Sequence, residues 1–234
     1  VTIVSVPRRI SDGSHVYHLS EESGLFLNAN EPSLDPLSIV EGTSHVRGCT
    51  ALFQRSTPAL RLQGLKPEHG LICEDAHVDA SKGATLEVVF ESADPGAVGR
   101  CLVELSSKLV GAMGNSISIV QFKDQLRAQV VAGGNGRPYH AFTLRAPFLP
   151  ARRTLAGLSF DIERGSVGFW INGLREAECK AHGSIGQILS VLGVGRSAHA
   201  STPSFRGLLG EVRFHPHSEN DAYFQEADRH VGLL

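Results

Sequence analysis

The stretch Ser166-Val167-Gly168-Phe169-Trp170-Ile171-Asn172-Gly173-Leu174-Arg175-Glu176 reads as a complete β-hairpin. Val167, Phe169 and Ile171 occupy alternate positions, so on an extended strand they share one face and Trp170 takes the other. Asn172-Gly173 has the residue types of a two-residue type I′ turn, in which both central residues need φ > 0. Such a turn pairs Ile171 with Leu174 on the apolar side, and Trp170 with Arg175 on the opposite side.

The same alternation extends in both directions from this hairpin. Upstream, Leu158, Phe160 and Ile162 alternate with Ser159 and Asp161, and Glu163-Arg164-Gly165 forms the connecting loop. Leu86, Val88 and Phe90 oppose Thr85, Glu87 and Glu91. Ile117 with Ile119, then Leu126, Ala128 and Val130, then Phe142 with Leu144, repeat the pattern, and Lys123-Asp124-Gln125 reads as a hairpin loop of the longer kind. Leu208, Val212 and Phe214 complete it against Glu211, Arg213 and His215. Period two, repeated this often, marks half-buried antiparallel strands. One-sided strands need a second sheet to cover them, which predicts a two-sheet sandwich. Its shared core should hold Leu86, Val88, Phe90, Phe142, Leu144, Phe160, Phe169, Ile171, Val212 and Phe214. One helix is expected over 220–230, with Ser218 as N-cap, Asp221 in the first turn, and Tyr223, Ala227 and Val231 four apart on one face. Gly96–Gly99 and Gly133–Gly136 are loop-sized, and no helix follows the second to make a phosphate cradle. No linker interrupts the pattern, so residues 1–234 are expected to be one domain.

Composition narrows the function. The chain has 234 residues, a length that suits one all-β unit of roughly 200–250 residues. Lys+Arg is 22 and Asp+Glu is 24, a net charge of −2, which excludes a generic nucleic-acid surface and any strong attraction to anionic membranes. Hydrophobic residues at 41% and charged residues at 20% support a core rather than disorder. There is no apolar run of the roughly 18 residues a membrane span needs, so neither nucleic acid nor membrane insertion is expected. Cys49, Cys73, Cys101 and Cys179 show no CxxC and no close pair. They read as small buried hydrophobes, with one or two long-range bridges open if the protein is extracellular. The chain begins at Val1, so it carries no information on targeting.

Two histidine pairs have ligand-like spacing: His15 with His18, and His215 with His217 across Pro216. Neither has a clear third or fourth donor nearby in sequence, whereas zinc sites take at least three protein groups. They read as exposed strand-end histidines, and no metal site is assigned. Asp94 and Asn115 lie in rim-like loops without a dense Asp/Asn cluster. No cofactor is therefore expected, and calcium is left open.

An ordered series of short motifs carries a family resemblance. They are Ala59-Leu60-Arg61-Leu62-Gln63-Gly64, Ala84–Phe90, Ser159-Phe160-Asp161, Phe169–Gly173, Leu192–Gly195 and Phe205-Arg206-Gly207-Leu208-Leu209-Gly210-Glu211-Val212-Arg213-Phe214. In this order, over residues 59–231, they resemble the laminin-G-like, concanavalin A-like lectin and glucanase jelly-roll family. Ala84 and Val89 depart from it, standing where the family places aromatics. The resemblance implies an all-β, two-sheet antiparallel jelly-roll sandwich with a short C-terminal helix, and residues 1–58 as outer strands of the same sandwich. It implies no single function, because similar proteins include lectin-like modules, glycosidases, polysaccharide lyases and adhesion or phage-surface proteins.

The chemistry points away from catalysis. A retaining glucanase of this fold needs carboxylates about 5 Å apart, and the Glu-x-Asp-x-x-Glu run is absent. Glu87 and Glu91 share a strand face but stand about 13 Å apart at the standard rise. The Arg, Gln-x-His and Tyr constellation of jelly-roll lyases is also absent. The acids read as solvated strand faces. The expected function is a non-catalytic recognition or structural module, binding a glycan or protein partner outside the cell or on a particle such as a phage. A polysaccharide hydrolase or lyase, and a homo-oligomeric scaffold without a small ligand, are the alternatives. The expected binding residues are Trp170 as a stacking platform, Arg175 beside it, and Asp161 on the neighbouring strand as a polar acceptor.

Overall fold

Backbone register places Leu158, Leu86 and Phe214 abreast on three neighbouring strands, and Ala156, Val88 and Val212 abreast two residues along. All six face inward into one core, as strict period-two patterning requires. A computed structural model describes residues 15–18, 25–26, 37–39, 43–46, 59–62, 64, 70–73, 78–107, 115–134, 137–181, 188–197 and 203–233. Side chains are described for 61–62, 64, 70–72, 78–107, 115–131, 143–181, 189–197 and 203–229.

The first sheet runs in the order β15 (Leu174–Lys180), β14 (Ser166–Ile171), β13 (Thr154–Asp161), β8 (Gly83–Ser92), β18 (Gly207–His215), β5 (Ala59–Leu62) and β4 (Thr43–Val46). β1 (His15–His18) also pairs with β18. The second sheet runs β12 (Arg137–Pro147), β11 (Gln125–Gly134), β10 (Ser116–Phe122), β9 (Val98–Ser106), β17 (Val191–Val194), β6 (Leu71–Cys73), β3 (Leu37–Ile39) and β2 (Leu25–Phe26). A small ladder joins β7 (Val78–Asp79) to β16 (Ile188–Leu189). Among the described residues every strand ladder is antiparallel, apart from one isolated parallel bridge between Cys101 and Ser204, and the two large sheets make an all-β sandwich of jelly-roll type. Strands on either side of residue 58 pair with one another, β4 with β5 and β3 with β6.

Nine of the ten expected core residues are buried in the shared core. The side chain of Phe142 lies outside the described residues. The Asn172-Gly173 turn has φ of 49° and 78°, as type I′ demands, and pairs Ile171 with Leu174 and Trp170 with Arg175. A bulge then leaves Glu176 unpaired, since Phe169 faces Ala177. The loop at Lys123 is shorter than expected: Phe122 pairs directly with Gln125, and Lys123 takes φ 61° to close a two-residue turn.

The helix, α1 (Asp221–Leu233), is capped by Asn220 rather than Ser218. Asn220 Oδ1 accepts from the N–H groups of Ala222 (3.0 Å) and Tyr223 (3.2 Å), while the Ser218 hydroxyl donates to Asp161. Tyr223 and Ala227 are buried as expected, and Val231 lies outside the described side chains. Phe224, outside the four-residue spacing, is fully buried. Together with Val89, Leu155, Trp170 and Leu208 these residues form a second apolar cluster, on the outer face of the first sheet.

Candidate functional site

Trp170 does reach the outer face beside Arg175, but the face is covered there. Its ring stacks on Phe224 with centroids 4.2 Å apart, and its Nε1 donates to Asp221 Oδ1 at 2.8 Å. Only 4% of the residue is exposed. Arg175 grips Asp221 with two charge-assisted bonds of 2.8 and 2.6 Å and reaches Glu178 at 2.7 Å. The Arg175 and Trp170 donors hold the Asp221 carboxyl below the usual carboxylate range. The expected sugar platform is therefore the socket of α1, with no open ring face. Asp161 is corrected as well. It pairs with Ser166, four residues along β13 from the Gly157 that faces Trp170, which puts about 13 Å between them. Its oxygens accept from the Arg164 N–H (2.9 Å) and the Ser218 hydroxyl (3.1 Å).

Beneath α1 lie polar groups that alternation alone assigns to solvent. Glu87 and His215 are essentially fully buried, and Arg213 and Glu211 nearly so. Tyr223 donates to Glu87 Oε1 at 2.6 Å, and His215 Nε2 lies 3.0 Å from the same oxygen. Arg213 is ion-paired with Glu211. Burial opposes the charge on Arg213, and the Glu211 and Glu87 carboxylates outweigh it, so its pKa is raised. Burial, then Glu87, pushes the Tyr223 hydroxyl up. His217 and Glu219 sit half-buried at the margin of this network. The reading of His215 as exposed thus fails, because the helix covers the sheet end where it stands.

A groove remains open on the same sheet, at the margin of the α1-covered cluster, with which it shares Leu208. It encloses about 430 Å³ and is lined by Arg61, Glu91, Arg206 and Leu208, among others. Arg61, Leu208 and Glu91 are cross-strand partners on β5, β18 and β8. A cation and an anion therefore flank an apolar floor, about 10 Å apart over two strand spacings. Arg206 projects from the strand entry, and its backbone is fixed on both sides. Its carbonyl accepts from Ala93 N–H at 3.1 Å. Arg100 donates to the carbonyls of Gly64 (2.9 Å) and Ser204 (3.1 Å), which brackets the turn. Gly207 is required at this point, since a Cβ would stand 2.2 Å from the Glu91 carbonyl oxygen. Among the described residues Glu91 Oε2 is buried with no hydrogen-bond partner, and burial raises the carboxyl pKa. A cleft of about 490 Å³ beside Phe148, Arg152, Arg153 and Asn172 offers space without such an oxygen.

Asp94 and Asn115 stand at opposite ends of β10. Gln121 donates to the Asp94 carbonyl, whereas Asn115 is bonded to Ser107. About 20 Å of strand separates them, so they share no calcium rim. Among the described residues, His215, His217 and Glu219 are the group whose donor atoms gather closely enough for a metal ion. Glu219 is the third donor missing from the sequence reading. Its i, i+2, i+4 spacing was the available signal, and it was absorbed into the helix start. Cys101 and Cys179 are free thiols, and burial raises the pKa of each. Cys49 and the Cys73 side chain lie outside the described residues.

No protein-family profile matches the chain, and no curated protein matches it in sequence. Solved structures do. Domain 4 of AbnA, an extracellular GH43 arabinanase from Geobacillus stearothermophilus solved with arabinotriose, superposes with a TM-score of 0.64 at 15% identity, over 91% of this chain and 96% of that one. The CBM40 domain of the Ruminococcus gnavus IT-sialidase, bound to α2,3 sialyllactose, gives 0.52 at 15%, over 64% and 85%. The binding domain of botulinum neurotoxin DC, in complex with SialylT, gives 0.65 at 8%, over 94% and 52%. The chain thus spans about half the length of the toxin binding domains it matches. At these identities the likeness establishes the β-sandwich fold.

Proposed function

We propose that this chain is a non-catalytic recognition module that binds an acidic glycan in the groove between Arg61, Glu91, Arg206 and Leu208. The observation that carries the reading is the open groove in which two exposed arginines flank the buried Leu208, with the half-buried Glu91 on the strand opposite Arg61. Glu91, half-buried at the groove, offers a carboxylate acceptor for a sugar hydroxyl or amide N–H. The planar forks of Arg61 and Arg206 suit a sugar carboxylate, and the Leu208 floor suits the C–H face of a ring. Two cations against one carboxylate leave the groove net positive, which favours an anionic saccharide. The same outer face argues against hydrolysis: Glu87 lies under α1, and about 13 Å of strand separates it from Glu91.

That structurally similar domains are solved with glycans, acidic α2,3 sialyllactose in one and neutral arabinotriose in another, supports a glycan as the ligand. The finer assignments belong to the same reading. They are membership of the concanavalin A-like jelly-roll family, one domain over residues 1–234, and a place outside the cell or on a particle surface. The test is a glycan array that includes sialylated, uronate-bearing and neutral sugars. Retention of acidic glycans, weakened by salt, is the expected result. Turnover of any of them, or binding to neutral sugars alone, contradicts it.

A further inference from the structure

The segment His215-Pro216-His217-Ser218-Glu219 joins the end of β18 to the cap of α1. One ligand atom from each of His215, His217 and Glu219 lies within 4.8 Å of the other two. We propose that these three residues form a binding site for a first-row divalent metal ion of the zinc class. Two borderline imidazole nitrogens with one carboxylate oxygen are a set that suits zinc and not calcium, which takes oxygen alone.

The geometry is close to what the ion needs. Tetrahedral zinc, with bonds of about 2.0–2.1 Å, sets its donors about 3.3 Å apart. His217 Nε2 and Glu219 Oε1 are already 3.0 Å apart. Closing the remaining gap takes about 1.5 Å, within reach of side-chain rotation at His217 and Glu219, which are half-buried.

The backbone that carries these two ligands is tied to the sheet. Thr85 Oγ1 donates to the His217 carbonyl at 2.9 Å, and Ser159 Oγ accepts from the Glu219 N–H at 2.8 Å. The two hydroxyls are themselves 3.0 Å apart, so one hydrogen-bonded bridge across β8 and β13 holds both.

His215 supplies the buried ligand. Its Nε2 lies 3.0 Å from Glu87 Oε1 and 2.9 Å from the Tyr223 hydroxyl, and an ionised carboxylate only accepts, so the proposed site uses the tautomer with the proton on Nε2 and Nδ1 left to ligate. A carboxylate behind a metal-bound histidine fixes the ring and raises its basicity. Glu87 thus gains a role as a positioning residue. Three protein ligands leave a fourth position for water or for a donor from a bound partner. The site lies at the far end of β18 from Leu208, about 23 Å along the strand, so its fate is separable from that of the groove.

The experiment is a Zn²⁺ titration by calorimetry on tag-free, chelator-treated protein, with Co²⁺ absorption as a report on coordination number. One ion per chain is expected, with the visible d–d bands of low-coordinate Co²⁺ and a rise in melting temperature with Zn²⁺. His217→Ala and Glu219→Gln, checked for folding by circular dichroism, should each weaken binding at least tenfold, and Glu87→Gln should weaken it less. If His217→Ala fails to fold, Glu219→Gln carries the comparison alone. No saturable Zn²⁺ binding, or binding that the folded variants leave unchanged, overturns the site.

Discussion

The Trp170 indole lies flat against Phe224, with ring planes 18° apart, and points its N–H at Asp221 in the first turn of the helix. One side chain thereby joins the 167–176 hairpin to α1 through both stacking and a hydrogen bond. The outer face of the first sheet is consequently a second core over much of its area. Glu87, Arg213 and His215 are sealed there, each in contact with Tyr223 of the helix.

Trp170→Ala should cost about 3–5 kcal/mol of stability, the range for truncating a large buried aromatic. Glycan affinity should stay within about twofold of wild type, because Arg61, Glu91 and Arg206 lie outside the cluster to which Trp170 belongs. Denaturant unfolding and ligand titration on the same sample check both. Lost affinity at unchanged stability would restore Trp170 as a binding platform.

Gly157→Ala tests the socket from below. A Cβ there would stand 2.1 Å from Phe224 Cε1, so the ring fits only because Gly157 has none. Overpacking of this kind costs about 1–3 kcal/mol. In a Phe224→Ala background the penalty should largely vanish, and a double-mutant cycle measures that coupling. A penalty unchanged in the second background would place its cause elsewhere.

The inner half of the fold was legible because alternation and turn chemistry are local. Val167, Phe169 and Ile171, with Asn172-Gly173 behind them, specify strand, face and turn within a few residues. The outer half was not, because alternation tells which residues share a face but not whether something covers it. Glu87, Arg213 and His215 sit at polar positions and looked solvated, yet α1, far along the chain from Glu87, closes over them. Trp170 misled for the same reason. The groove residues come from β5, β8 and β18, which are neighbours in space and remote in sequence, so no local motif joins Arg61 to Glu91. Glu219 was within reach of the eye, two residues beyond His217.

Glu91 gives a pH signature. Burial raises its folded pKa, so the native state holds this proton more tightly than the unfolded chain. The charged form therefore works against stability above that pKa, and the loss is recovered as pH falls through it. Glu91→Gln should melt at or slightly above the wild-type temperature at neutral pH, with the difference shrinking in acid. A variant that melts much lower would mean that Glu91 has a partner it cannot lose.

The most direct measurement is calorimetric titration of the best acidic glycan from the array into wild type, Arg61→Ala/Arg206→Ala and Trp170→Ala. Removing an anchor at a binding site commonly costs about 1–3 kcal/mol, roughly 5- to 150-fold in affinity. The double arginine variant should lose at least that much at an unchanged melting temperature, while Trp170→Ala loses stability and keeps its affinity. Full affinity in the double arginine variant would contradict the groove as the binding site.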